Sequence, residues 1–203
     1  MKLQLHLGNT VSGDHSLKSL NLMLVFQVNC PGCLSRALPE LNQLSLQFPE
    51  VNAFAMSTAF ENFNLNTEVN TRALVGCGEL TLSSKRYFSR LGCNSLPYQI
   101  QVPVVMDAFL AEDKLSRLKD GVLGQVDSDS LSPAAKGKLC DILDHRFVPL
   151  VRTGRTFINN DLQGTPSWFI FDDQLNVLDS WFGHKEEKWV ESVLKSHMAG
   201  LMK

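Results

Sequence analysis

Residues 28–35 read VNCPGCLS and follow directly on the apolar run LMLVF at residues 22–26. Two thiols stand two residues apart, with a proline and a glycine between them. A redox dithiol, half of a metal site and a tight turn can all carry this spacing, so the flanking sequence has to discriminate among them. On the N-terminal side, residues 21–28 (NLMLVFQV) predict a strand buried on both faces. On the C-terminal side, Leu34, Leu38, Leu41, Leu44 and Phe48 recur at spacings of four, three, three and four, which places them along one stripe of a helix. Residues 51–57 (VNAFAMS) then predict a second strand, giving a βαβ unit with the two cysteines at its first turn. Pro39 falls inside the helix and lacks the amide that the Ser35 carbonyl needs, so a kink is expected there rather than a stop.

This context favours redox chemistry. With Cys30 at the helix cap and Pro31 in the first turn, the Cys30 sulfur faces the free amides and the positive end of the helix dipole, which both favour thiolate over thiol. Cys30 is therefore the expected nucleophile. Cys33 lies one turn further along the same face, placed to attack a mixed disulfide on Cys30 and release the partner as a thiol. A structural zinc site is the strongest competing reading. It requires four ligands, and the chain has neither a second CxxC nor an HxxxH.

The rest of the chain continues the alternation of strand and helix. Residues 79–91 predict a helix ended by Gly92 as a left-handed cap, and residues 102–107 (VPVVMD) predict a strand with Pro103 near its start. Residues 166–172 and 177–183 flank DDQLN and predict a hairpin, and residues 184–198 a closing amphipathic helix whose solvated first turn is HKEEK. Between them, residues 108–163 carry helical signals of their own, the clearest being Ser132-Pro133 as cap and first position of a helix.

Composition excludes several classes of function. Nineteen Lys and Arg against 21 Asp and Glu leave a net charge of −2 with no basic run, so a nucleic-acid partner is not expected. The longest apolar run falls far short of the roughly 20 residues of a membrane helix, so no membrane insertion is expected. The segment MKLQLHLGNT has neither the apolar core nor the cleavage site of a secretory signal, which makes a cytoplasmic location the expectation. Five cysteines cannot all pair within the chain, which fits a reducing compartment rather than a disulfide scaffold.

Read together with GTPS at residues 164–167 ahead of WFIFDD, the strand–CPGC–helix order resembles the thioredoxin superfamily, and within it the TlpA/ResA-like thiol–disulfide oxidoreductases, or redoxins. LGNTVSGDHSLKSL is similar to the family's N-terminal segment, residues 30–39 to its CPxC and proline-containing helix, residues 102–107 to its "fPvvxD" strand, and residues 164–183 to its "GTPxxxxID" strand and hairpin. The resemblance implies an α/β thioredoxin fold: a central mixed sheet flanked by helices, in one domain spanning 1–203. It carries an N-terminal extension and a helical insertion at about 108–163, before the cis-proline strand. It also implies catalysis by Cys30 and Cys33 without a cofactor or metal. Pro166 would be the cis-proline beside the dithiol, and the Thr165 backbone would bind the extended chain of a protein disulfide substrate. A dithiol electron donor, thioredoxin or a similar system, would complete the cycle.

Two residues depart from the family pattern. Asn29 stands where many relatives have tryptophan before the first cysteine, and Leu24 stands where thioredoxins bury an aspartate. Two alternative functions stay open: a peroxiredoxin-like peroxidase, although Gln27 occupies the place of that group's threonine or serine, and a non-catalytic thioredoxin-fold binding module. Cys77 and Cys93, flanking a 13-residue helix about 20 Å long, are not expected to bridge. Cys140, with Leu143 and Phe147, is expected as a small buried hydrophobe. Trp168 and Trp181 are expected in the core or at its edge, and the five histidines show no ligand spacing.

Overall fold

The computed structural model describes residues 1–110, 112–124 and 131–201. Among them, six strands form one sheet: β1 (Leu7–Ser12), β2 (Asn21–Phe26), β3 (Asn52–Ser57), β4 (Val104–Asp107), β5 (Ser167–Phe171) and β6 (Val177–Phe182), in the order β1-β4-β3-β2-β5-β6. Strands β2, β3 and β4 are parallel, while β1, β5 and β6 run antiparallel to their neighbours. Among the described residues the α-helices are α1 (Leu38–Gln47), α2 (Glu68–Cys77), α3 (Leu82–Arg90), α4 (Glu112–Leu123), α5 (Pro133–Arg152), α6 (Arg155–Asn159) and α7 (Glu187–Leu201).

Strand β2 is buried along its whole length, with Asn21 paired to Asn52 on one side and Phe171 on the other. Its side chains divide between two cores. Leu22, Leu24 and Phe26 point toward the stripe Leu34, Leu38, Leu41 and Leu44, together with Trp168, Val190 and Leu194 of β5 and α7. Met23 and Val25 join Phe54, Met56, Val105, Phe169 and Phe171 on the opposite face. An apolar run without alternation is what a central strand covered on both faces requires. The N-terminal segment crosses the second face, where Leu3 is buried and its amide donates to the Leu175 carbonyl at 2.8 Å.

The helix continues past Pro39 rather than stopping, and a π turn accommodates the proline. The chain enters the helix at Pro31, opens into a π turn over Cys33–Ala37, and continues as α1 with αR backbone angles at the junction. The Leu38 amide donates to the Cys33 carbonyl, five residues back. A single wide turn thus absorbs the imino acid that a regular i to i−4 ladder cannot seat.

Strand β1 and helix α2, neither of which the apolar periodicity picks out, are ordered by distant partners. Arg72 of α2 donates to the Thr10 carbonyl at 2.9 Å while paired with Glu68 in the preceding turn. Helix α3 begins at Leu82, and Gly92 after it takes φ +79. In α5, Ser132 Oγ accepts from the Ala135 amide at 3.3 Å, and the buried positions are Leu143 and Val151. Cys140 corrects the expectation placed on it: its phase on the helix fits the stripe of Leu143, Phe147 and Val151, but it is exposed because it lies in the first half of α5, where no residue is buried and burial begins only at Leu143.

Helix α6 is fixed by a buried carboxylate. Asp107, fully buried at the end of β4, accepts from the Thr58 hydroxyl at 2.9 Å and from the Thr156 and Phe157 amides at 2.8 and 3.1 Å. Burial raises its pKa above the ordinary carboxylate value against the pull of these donors. The cradle admits only glycine beside it: a Cβ on Gly154 would meet Asp107 Oδ2 at 2.1 Å and Thr58 Oγ1 at 2.2 Å. Among the described residues no helix is long and apolar enough to cross a membrane, and no group of three or more His, Cys, Asp or Glu is gathered to hold a metal.

Candidate active site

The two cysteines lie where β2 gives way to its helix. The Cys30 amide donates to the Gln27 carbonyl at 3.1 Å, closing the turn, and the Leu34 amide returns to the Cys30 carbonyl at 3.2 Å. The Cys33 amide donates to Cys30 Sγ at 3.2 Å, so the sulfur occupies the capping position at the start of the helix. Both thiols are free, and the two residues approach to 2.6 Å. Cys30 is half-buried and Cys33 has no exposed surface.

These surroundings separate the two thiols electrostatically. The neighbouring Cys33 thiol, followed by the Cys33 amide, the Thr165 hydroxyl and the Gly32 amide, lowers Cys30 from 9.0 to about 7 even though partial burial opposes ionisation. Burial first, and then the proximity of Cys30, raises Cys33 well above 9.0. At neutral pH the accessible sulfur is therefore about half thiolate while the enclosed one keeps its proton.

Thr165 and Pro166 stand across from Cys30. Their peptide bond is cis, and the Thr165 carbonyl lies 3.8 Å from Cys30 Sγ. Thr165, Gly164 and Cys30 share the lining of a cavity of about 360 Å³ with Asn29, Asn66 and Phe182. The four residues Cys30, Cys33, Thr165 and Pro166 thus meet at one place, although about 130 positions separate the two pairs in the chain.

Asn29 has its own structural role here. Its side-chain oxygen accepts from the Ser83 amide at 2.8 Å and the Thr81 hydroxyl at 3.1 Å, which caps α3, and its amide donates to Asn66 Oδ1 at 3.1 Å. The Val28 carbonyl takes the Ser84 hydroxyl at 2.8 Å and the Thr81 hydroxyl at 3.2 Å. The loop that presents the dithiol is therefore bolted to α3 and to the segment before α2. Leu24, pairing with Trp168, is fully buried and brings no proton acceptor beneath Cys33.

His184 also departs from its expected place in a solvated helix turn. It precedes α7, and its Nε2 would lie 3.6 Å from a Cβ on Gly32. Desolvation and then the Arg36 charge lower its pKa. Trp168 and Trp181 stack at 5.6 Å in the core below, with Trp189 edge-on to Trp181 at 5.3 Å. Of these neighbours, Asn29 alone had a sequence signal, its position before the first cysteine. Asn66 and His184 reach the site through the fold.

No family model and no curated protein matches the chain. Solved structures do match. One is a thiol-disulfide isomerase from Corynebacterium glutamicum, 16% identical with a TM-score of 0.58, covering 97% of this chain and 94% of that one. Another is a thioredoxin-like superfamily protein, 18% identical with a TM-score of 0.59, covering 97% and 95%. The mixed sheet flanked by helices, the dithiol turn at the end of β2 and these likenesses agree: the chain has the thioredoxin fold.

Proposed function

We propose that this protein is a thiol–disulfide oxidoreductase of the redoxin type that acts on a protein disulfide. The observation that carries the reading is the asymmetry of the pair: a thiolate-prone, accessible Cys30 with the Cys33 amide on its sulfur, and a protonated, enclosed Cys33. Cys30 thiolate attacks one sulfur of the substrate disulfide; a Cys30–substrate bond forms, the substrate S–S bond breaks, and the first substrate sulfur leaves as thiolate. Cys33 then loses its proton and attacks Cys30 Sγ, forming the Cys30–Cys33 disulfide and expelling the second substrate sulfur. The substrate gains two electrons and two protons, and an external dithiol such as thioredoxin restores the starting state.

In this reading the Thr165 carbonyl and amide beside the attacked sulfur pair with the substrate's extended backbone, with Pro166 setting their direction. Water serves as the proton acceptor for Cys33, since Leu24 occupies the position from which a carboxylate would act. No cofactor or metal takes part. The fold likeness to a protein described as a thiol-disulfide isomerase supports the chemical class.

The test is trapping. Cys33→Ser should accumulate a mixed disulfide between Cys30 and a partner protein, which dithiothreitol releases, and Cys30→Ser should not. Absence of any trapped species, together with no reduction of insulin disulfides by the wild type, would refute the proposal. Rapid consumption of hydrogen peroxide with sulfenic acid at Cys30 would instead indicate a peroxidase.

A further inference from the structure

The π turn leaves one acceptor without a backbone partner. With the Leu38 amide committed to the Cys33 carbonyl, the next donor in that wide ladder would come from residue 39, which is proline and has none. The acceptor it would have served is the Leu34 carbonyl, on a residue with no exposed surface. A buried carbonyl in that position requires a donor from elsewhere. Tyr98 supplies it: its hydroxyl donates to the Leu34 oxygen.

Tyr98 is itself held by the helix it serves. Asn42 of α1 clamps the segment on its far side, with Nδ2 donating to the Gln99 carbonyl at 2.8 Å and Oδ1 accepting from the Gln101 amide at 2.9 Å. On its near side, the Leu96 amide is bonded to the Gly78 carbonyl at 2.9 Å. The ring packs against the same core cluster as Cys33 and Leu34. Burial, and then the charge of Cys33, raise its pKa, so the phenol remains a donor at any working pH.

We infer that Tyr98 is a positioning residue for the dithiol: by satisfying the Leu34 carbonyl it holds open the wide turn that begins at Cys33, and so keeps the Cys33 amide aimed at Cys30 Sγ. The inference rests on the dithiol reading above and adds a residue that lies outside the CPGC motif. Without the phenol oxygen, the orphan carbonyl pulls the Cys33–Ala37 turn toward other donors and the amide-to-sulfur contact weakens. The thiolate of Cys30 then loses stabilisation, which favours the disulfide relative to the dithiol.

Tyr98→Phe tests this in two backgrounds. In the wild-type background, the pH midpoint for alkylation of Cys30 should rise by about half a unit. The thiol–disulfide equilibrium with glutathione should move about threefold toward the protein disulfide, within what one hydrogen bond supplies. In a Pro39→Ala background, where residue 39 regains an amide, the same change should have a smaller effect. No shift in the wild-type background, or an equal shift in both, would overturn the positioning role, as would a Y98F chain that folds in neither. A Y98F chain that folds only together with P39A would support it. These readings are separate from turnover: a wild-type couple that never forms an intramolecular disulfide would refute the dithiol function itself.

Discussion

Cys30 titrating at about 7 instead of 9.0 predicts a reactivity profile with a crossing point. At pH 7 an ordinary thiol with the higher value is about 1% thiolate and Cys30 about half, a roughly fiftyfold difference in reactive form. A less basic sulfur is also a weaker nucleophile: over two units, a Brønsted slope of about 0.4–0.5 costs about sixfold to tenfold. The net expectation is that iodoacetamide modifies Cys30 in the folded protein about fivefold to eightfold faster at pH 7 than it modifies a synthetic peptide of residues 28–35. Above pH 9 both are ionised, and the order reverses, with the folded protein slower by about sixfold to tenfold and further slowed by partial burial. Peptide-resolved mass spectrometry separates Cys30 from the exposed Cys77 and Cys140 in the same sample. A midpoint of 8.5 or above, or a folded protein slower than the peptide at every pH, would refute the assignment of Cys30 as the thiolate.

Three further outcomes follow from packing. Gly154→Ala should destabilise the fold by about 3 kcal/mol, because the new methyl lands on the buried Asp107 carboxylate and the Thr58 hydroxyl; thermal unfolding should fall by about 6 to 12 °C, and an unchanged midpoint would contradict the cradle. Asn29→Ala removes the acceptor for Ser83 and Thr81 at the start of α3 and should cost about 1–2 kcal/mol in urea titration, with the loss absent if the cap is dispensable. Cys140→Ser should leave stability within about 0.5 kcal/mol, since that thiol is exposed; a loss of several kcal/mol would return it to the core.

The parts of this fold legible in the sequence are those whose signals are local. The Leu34, Leu38, Leu41 and Leu44 stripe fixes a helix because each residue is within one turn of the next. The unbroken apolar run of β2 declares a strand covered on both faces, and DDQLN between two β-rich runs declares the hairpin. Cys30 and Cys33 were readable for the same reason: their chemistry is set by a turn four residues long. What surrounds them was not readable, because it is assembled from distant segments. Asn66 reaches the Asn29 amide across 37 positions, and Tyr98 reaches Leu34 across 64. Pro39 did announce that a carbonyl would lack its amide, but neither the π turn nor the phenol that compensates for it has a local signature. Cys140 was misplaced because its phase does fit the stripe of Leu143 and Phe147, whereas the point along α5 at which the rest of the fold begins to cover that stripe is set by distant segments.

The bond from the Arg155 amide to the Ala108 carbonyl, 2.8 Å long, brings the two ends of a long excursion together. Its neighbour, from the Gly154 amide to the Ala59 carbonyl at 2.8 Å, fastens the return point to the strand end beyond β3. We propose that the described helices between those ends, α4 and α5, form a side branch, since these bonds let the chain pass from β4 to β5 through α6. On that reading the first half of α5, where no residue is buried, can diverge in length or character while the sheet that carries the sulfurs stays as it is.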